Sequence, residues 1–233
     1  MTRSNKIPVI TVDGPGGSGK GTICALLAQE LGWHLLDSGA LYRLVALGAQ
    51  QNGIDFSDHQ TLAEYALKLP VLFEFSAGSL EVRTLLNGQD VGNAIRTEQA
   101  GNAASIVAAI NEVREALLQR QRDFLQLPGL VADGRDMGTT VFPQARLKIF
   151  LTASAEERAQ RRYKQLIEKG INVNLRDLLT EITERDERDT QRSASPLRPA
   201  EDAVTLDTSS MSIDEVFQHV MQLHHQRFLE STS

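Results

Sequence analysis

Cysteine is almost absent from this chain of 233 residues. Cys24 alone excludes an intramolecular disulfide and a cysteine-rich zinc site, and one thiol fits a reducing compartment. No segment reaches the roughly 18 consecutive apolar residues that a membrane helix needs, and the N-terminus lacks the apolar stretch of a secretory signal. These absences predict a soluble, cytoplasmic protein without a membrane partner. The length predicts one large domain, or a core with an inserted lobe.

Positive charge is also scarce, and it is carried mainly by arginine. The formal net charge is -6, and the chain has 6 lysines and 18 arginines. The negative balance argues against non-specific nucleic-acid binding, so we expect no nucleic-acid partner. Arginine grips phosphates and carboxylates with a planar fork that lysine lacks. The preference for arginine therefore suggests local anion sites, although codon bias in the source lineage would explain the same count.

Short apolar runs alternate with helical patterns along most of the chain. The five runs that predict strands lie at 8–12, 33–36, 130–133, 147–151 and 203–206. Such an alternation predicts an α/β fold, with a five-stranded parallel sheet covered by helices on both faces. Ligands of such sheets bind at the carboxyl ends of the strands, so the residues that follow each strand are the candidates for chemistry.

One region breaks the alternation. Between about Val71 and Thr97 the runs are shorter, and Ser76-Ala77-Gly78-Ser79 and Asn87-Gly88 separate them. An Asn-Gly pair between such runs is a strong hairpin signal, so we predict a small antiparallel β insert here. After it, an alanine-rich stretch predicts a single long helix from about Glu98 to Leu125.

The first strand is followed by DGPGGSGKGT, residues 13–22, and then by a helix. This segment contains the pattern G-x-x-x-x-G-K, in which glycines let successive N–H groups face phosphate oxygens and Lys20 adds a charge. The alternative, a plain glycine-rich turn, does not explain the lysine at the start of a helix. The GKGT ending resembles the nucleoside monophosphate kinases, in which phosphates and waters hold most of the Mg²⁺. A GTPase is disfavoured because no N-K-x-D motif is present.

Polar residues follow two further strands. In DSGALYR, Ser38 is predicted to cap a helix and Arg43 follows about a turn later, which makes a second candidate anion site. Taken alone, an ordinary cap with a surface arginine explains this segment better. In DGRDMGT, Asp133 has the position of an acid that orients metal-bound water, and Arg135 and Asp136 follow it. A turn with a salt bridge is the alternative, and the strand-end position favours a functional role.

A highly charged helix is predicted from about Leu175 to Arg192. Arg185, Arg188 and Arg192 have a spacing that places them on one helical face, with Asp189 on the same side. Arg158, Arg161 and Arg162 form a similar cluster one helix earlier, so the two helices are predicted to act as a lid over a triphosphate. A solvated helix with ion pairs is the ordinary explanation of such a charge run.

Taken together, GPGGSGKGT, LLDSGALYR, NAASIVAA, VREAL, ADGRDMGT, VFP and ERDERD resemble the bacterial cytidylate kinases, over about Val9 to Leu223. That family carries a small β lobe in its monophosphate-binding region, which the predicted insert matches. The resemblance implies transfer of the γ-phosphoryl group of ATP to CMP or dCMP, with Mg²⁺ as cofactor, in pyrimidine nucleotide metabolism. It also implies nucleotide ligands and a monomer.

The resemblance further implies roles for individual residues. It assigns the ATP phosphates to Gly14, Pro15, Gly16, Gly17, Ser18, Gly19, Lys20, Gly21 and Thr22. It assigns CMP to Ser38, Arg43, Ser105, Arg114, Arg135, Asp136, Arg185, Asp189 and Arg192. It assigns catalysis to Lys20, Arg135, Arg158 and Arg192, and it leaves Asp133 as a residue that orients metal-bound water. The implied segments are a core (1–37, 127–157 and 193–233), a monophosphate-binding region (38–126) and a lid (158–192).

Two other functions stay open at this point. One is a phosphate-loop kinase for UMP or another small acceptor, and the other is a nucleotide-gated switch without an acceptor. The switch is disfavoured because a lid of arginines and a second anion site fit two phosphorylated ligands better than one.

Overall fold

A five-stranded parallel sheet forms the centre of the computed structural model, which describes residues 7–75, 82–168 and 170–228. Its strands are β1 (Val9–Asp13), β2 (His34–Asp37), β6 (Leu130–Gly134), β7 (Leu147–Thr152) and β8 (Val204–Asp207). They are ordered β2-β6-β1-β7-β8, with β1 in the middle and parallel to both of its neighbours. The predicted fold class is confirmed, and the carboxyl ends of β1 and β6 lie side by side.

Helices pack on this sheet through apolar stripes. Ile10 and Val12 of β1 are fully buried against helix α1 (Lys20–Leu31) and helix α8 (Ile213–Phe228). Helices α6 (Ala155–Glu168) and α7 (Leu175–Gln191) pack on each other. In the described part of the chain, every helix is too short or too polar to cross a membrane.

The second compact unit of the chain is Asp37–Asp123. Its helices are α2 (Ser38–Gln51), α3 (His59–Leu67), α4 (Glu98–Val107) and α5 (Asn111–Arg122), with α2 packed on α4 and α3 on α5. The predicted β insert is confirmed as a three-stranded antiparallel sheet of β3 (Val71–Phe75), β4 (Val82–Leu86) and β5 (Gln89–Asp90). Asn87 and Gly88 form its hairpin turn, with φ of 51° and 76°. The predicted turn at Ser76–Ser79 lies outside the described residues.

Two local predictions in this unit are wrong. The long helix is two helices, because Ile110 leaves the helical region with φ -87° and ψ 116°. Arg114 stabilises the break by donating from Nη1 to the Ala108 carbonyl at 3.1 Å. Helix α2 is capped by Asp37, whose carboxylate accepts from the Ala40 N–H at 2.9 Å, and not by Ser38. The Ser38 hydroxyl is already inside the helix.

Candidate functional site

The loop between β1 and α1 is held in a conformation that suits an anion. Gly14 has φ of 143°, and a Cβ on it would stand 1.9 Å from the Leu151 carbonyl oxygen, so only glycine fits there. Gly19 precedes α1 and offers no side chain to cap the first turn of the helix. The N–H groups at the start of a helix need a partner, and the helix dipole favours a negative one. This end of α1 is therefore suited to a phosphate.

Lys20 is the first residue of α1 and is only 5% exposed. Its Nζ donates to the Pro15 carbonyl at 2.6 Å, and the Ser18 hydroxyl donates to the same oxygen at 3.0 Å. Burial, with a smaller contribution from Arg135, lowers the pKa of Lys20 to about 7, while Asp133 acts in the opposite direction. The ammonium group thus lies in an environment that gains most from a nearby anion.

Three guanidinium groups surround Gly16 of this loop. Arg158 donates from Nη1 to the Gly16 carbonyl at 3.1 Å. Nη2 of Arg135 and Nη1 of Arg185 lie 3.4 and 3.6 Å from the point where a Cβ on Gly16 would stand. Like charges at such distances repel in a partly buried site. The structure therefore concentrates positive charge where a polyphosphate would neutralise it.

Two carboxylates of α7 hold these arginines in place. Asp189 accepts from Nε of Arg135 at 3.0 Å, and Asp186 forms a two-pronged ion pair with Arg158. Burial would lower the pKa of Arg135, but the Asp189 carboxylate raises it above its ordinary value. Arg158, only 3% exposed, also donates from Nε to the Ala153 carbonyl at 2.9 Å. The guanidinium groups are therefore oriented before any ligand arrives.

Arg192 and Asp136 lie together at the same end of the sheet. Helix α7 ends at Gln191, and Arg192 is the capping residue that follows it, with φ of -58° and ψ of 140°. Its Nε donates to the Ser195 carbonyl at 2.8 Å, and its Nη2 lies 4.0 Å from Oδ1 of Asp136. Both side chains are almost fully buried.

Arg161 connects helix α6 to the segment that follows β8. Its guanidinium contacts Glu157 at 3.0 Å and the hydroxyl of Thr208 at 3.2 Å. The same Thr208 hydroxyl lies 3.2 Å from the Ser18 carbonyl. Arg161 thus ties α6 to the segment after β8 and, through Thr208, to the phosphate loop.

The second unit contains four of the residues that were predicted to bind the acceptor nucleotide. The Ser38 hydroxyl donates to Oε1 of Gln121 at 2.7 Å, and Arg43 donates from Nη1 to the Ile95 carbonyl at 3.0 Å. Arg114 lies over the ring of Tyr42, 5.7 Å from its centre. The fourth residue, Ser105, is buried in α4.

The sequence model of the cytidylate kinase family matches residues 10–226. The chain belongs to the cytidylate kinase family. The cytidylate kinase of Aeromonas salmonicida is 56% identical over 226 residues, which cover 97% of each chain. That of Pseudomonas entomophila is 58% identical over 217 residues, which cover 93% of this chain and 95% of the relative. An uncharacterized protein from Eubacterium ventriosum, a solved structure, matches 95% of this chain and all of its own at a TM-score of 0.51 and 9% identity, a likeness of fold alone.

A carboxylate also faces the start of α1 in this cytidylate kinase family member. Oδ2 of Asp133 lies 3.6 Å from the point where a Cβ on Gly21 would stand. Across the described ranges, no three His, Cys, Asp or Glu side chains form a cluster that could hold a metal ion.

Sequence reasoning did not identify several residues whose side chains hold other parts of the structure in place. Asp186 was visible only as one acid in a run of charges, and Thr208 followed a strand without a recognisable motif. Gln121 lay in a stretch assigned to helix for its composition. Asp13 stood in the phosphate-loop motif, but its spacing gave no indication of a contact with residues 137 and 138.

Proposed function

We propose that this protein transfers the γ-phosphoryl group of ATP to CMP or dCMP, giving ADP and CDP or dCDP. The observation that carries the proposal is the convergence of Lys20 and three guanidinium groups on the loop before α1, in a chain of the cytidylate kinase family. Phosphoryl transfer has a loose transition state, so positioning and charge neutralisation do most of the work. The acceptor phosphate is already an oxyanion, so no general base is needed.

The loop residues 14–22 hold the triphosphate of ATP in this proposal, and Lys20 contacts the β- and γ-phosphates. Mg²⁺ bound with ATP would neutralise charge on the phosphates. Asp133 would hold the hydrated ion through one of its waters. Arg135, Arg158 and Arg192 neutralise the oxygens of the transferring group, and the pairing of Arg158 with Asp186 supports this role because it fixes the guanidinium beforehand.

The acceptor nucleotide has its own set of contacts in this proposal. We assign to it Ser38, Arg43, Ser105, Arg114, Arg135, Asp136, Arg185, Asp189 and Arg192. Asp136 selects the base: its carboxylate accepts from the exocyclic amino group of cytosine and repels the oxygen that uracil has in that position. A buried carboxylate that faces an acceptor loses free energy, and this penalty discriminates strongly between the two bases. The near-complete burial of Asp136 supports this assignment.

A coupled assay with ATP, Mg²⁺ and each of CMP, dCMP, UMP and AMP tests the function. We expect efficient turnover of CMP and dCMP and a much lower kcat/KM for UMP and AMP. Slow ATP hydrolysis without use of any acceptor would identify a nucleotide-gated switch instead. Equal turnover of CMP and UMP would remove the role in base selection that Asp136 has here.

The Asp136→Ala variant tests base selection directly. We expect the ratio of kcat/KM for CMP to that for UMP to fall by about tenfold or more. The variant has no carboxylate to accept a hydrogen bond from the amino group of cytosine or to repel the oxygen of uracil. The KM for ATP should change much less. Asp214→Ala, at an exposed position in α8, is the control and should retain the ratio of the unmodified protein.

A further inference from the structure

The residues that follow Asp136 form an unusual turn. Met137–Val141 is a single π-helical turn, and Asp136 precedes it in the capping position. Aspartate in that position ordinarily accepts from the N–H groups of its own turn. The Asp136 side chain makes no such capping hydrogen bond. π-Helical turns are frequent at functional sites. The group that accepts from the N–H groups of this turn therefore helps to fix the geometry of the site.

That partner is Asp13, at the carboxyl end of β1. Its Oδ1 accepts from the Met137 N–H and its Oδ2 from the Gly138 N–H, each at 2.8 Å. Asp13 is buried, and its burial raises its pKa to about 7. The two backbone N–H groups act in the opposite direction, because they stabilise the charged carboxylate. A carboxylate presents two acceptors side by side, and few other side chains can hold two adjacent donors in this way.

The turn lies directly against β1 at this point. A Cβ on Gly138 would stand 2.9 Å from the hydroxyl of Thr11 and 3.3 Å from Oδ2 of Asp13. The contact between Asp13 and the turn therefore depends on a close approach that any side chain at position 138 would disturb. On the other side of the turn, Asp136 lies near Arg192.

We propose that Asp13 is a positioning residue for base selection: it caps the turn at 137–141 from β1 and so keeps the Asp136 carboxylate directed at the acceptor base. If Asp13 did not hold these N–H groups, Asp136 would be drawn back to cap its own turn and would leave the base. Asp13 itself touches no substrate. The inference rests on the proposed function, in which Asp136 recognises cytosine.

The Asp13→Asn variant tests the inference. Asparagine offers one oxygen and one amino group, so one of the two backbone N–H groups would face a donor. We expect the ratio of kcat/KM for CMP to that for UMP to fall about three- to tenfold, the effect of one lost hydrogen bond. Losses in ATP binding or in the folded fraction enter both reactions equally and cancel in this ratio. Thr11→Val is the matched control. It is an isosteric substitution at a buried position of the same strand, and it should retain the CMP to UMP ratio of the unmodified protein.

A second variant approaches the same contact from the other side. Gly138→Ala retains the Asp13 carboxylate but pushes the turn away from it, and we expect the same fall in the ratio. It also keeps the inference testable if Asp13→Asn does not fold. Discrimination that both variants retain in full would overturn the inference alone. Equal use of CMP and UMP by the unmodified protein would instead overturn the role of Asp136, and this inference with it.

Amide hydrogen exchange provides a readout that needs no substrate. The N–H group of Met137 or of Gly138 should exchange faster in Asp13→Asn than in Thr11→Val, because only the first variant replaces one of their two acceptor oxygens with an amino group. Equal exchange in the two variants would contradict the capping role.

Discussion

Lys20 is the residue whose surroundings say most about the chemistry. A buried ammonium group loses hydration, and the arginines beside it add repulsion, so its pKa falls to about 7. Its Nζ donates to the Pro15 carbonyl. A triphosphate would reverse both effects, because it supplies negative charge and acceptor oxygens at the same place.

Nucleotide binding should therefore be accompanied by proton uptake. At about pH 8 the lysine of the free protein is mostly neutral, whereas the phosphates of bound ATP raise its pKa and recruit a proton. Calorimetry of ATP binding in buffers with different ionisation enthalpies measures this uptake. Lys20→Met should abolish it, and uptake that persists in this variant would assign the proton to another group.

Removal of the Lys20 charge should also slow the reaction. We expect Lys20→Ala to lower kcat by about two to three orders of magnitude, as the loss of one well-placed donor to a transition-state oxygen does in other enzymes. Circular dichroism and the urea midpoint should show an intact fold. A kcat close to that of the unmodified protein would contradict the assignment of the phosphate loop.

At the scale of elements, α6 and α7 are joined by charge as well as by apolar packing. Arg158 on α6 is paired with Asp186 on α7 and also reaches the Gly16 carbonyl, so one side chain links two helices and the phosphate loop. The energetic balance of such a pair is asymmetric, since loss of one partner leaves the other charge buried and unpaired.

Asp186→Ala should consequently destabilise the protein by about 2 kcal/mol, less than for a fully enclosed pair because Asp186 is partly exposed. Urea unfolding measures the loss. The double variant Arg158→Met with Asp186→Ala should recover part of it, because no charge remains unpaired. Glu187→Ala, the exposed neighbour on α7, is the control, and equal stability of the two single variants would show that the ion pair contributes nothing.

At the scale of the whole molecule, an aromatic cluster joins the residue before β2 to the last described helix, α8. Trp33, the only tryptophan, lies before β2, and its ring is 5.7 Å from His224 and 5.8 Å from Phe228 of α8. His224 stacks on Phe228 at 4.8 Å and is 7% exposed. Burial lowers the pKa of His224 below its usual 6.5, and the neighbouring His225 lowers it further.

This cluster should make stability depend on pH. The pKa of His224 is lower in the folded than in the unfolded protein, so the unfolded chain takes up its proton first as the pH falls. The free energy of unfolding should therefore decrease as the pH drops below about 6.5 and should be insensitive to this group above that value. Urea unfolding followed by Trp33 fluorescence at about pH 5.5 and pH 7.5 measures the change.

The control for this effect comes from the adjacent histidine. His224→Phe should flatten the decrease, because the variant has no proton to take up, whereas His225→Gln should leave most of it. Comparison of each variant with the unmodified protein separates the contribution of His224 from that of other groups. One of these is Asp13, whose raised pKa makes the free energy of unfolding increase as the pH falls. The same slope in all three proteins would contradict the role of His224.

Local features of the amino-acid sequence were enough to predict the sheet, the phosphate loop and the hairpin. The glycine at 19, the Asn87-Gly88 turn and the alternation of apolar runs act on the backbone within a few residues, so their effect does not depend on the rest of the chain. The reciprocal cap of α8 belongs to the same class, because Ser212 and Glu215 are only three residues apart and each accepts from the N–H of the other.

Contacts between distant residues followed only from packing. The break before α5 carries no glycine or proline that would have marked it, and the Arg114 side chain donates to the Ala108 carbonyl there. The sequence offers many aspartates, and nothing in their spacing tells that Asp13 caps a turn 124 residues away or that Asp186 is the acid that pairs with Arg158. Such partners are chosen by which side chains burial brings within about 3 Å of one another, and that choice depends on how the strands and helices pack as a whole.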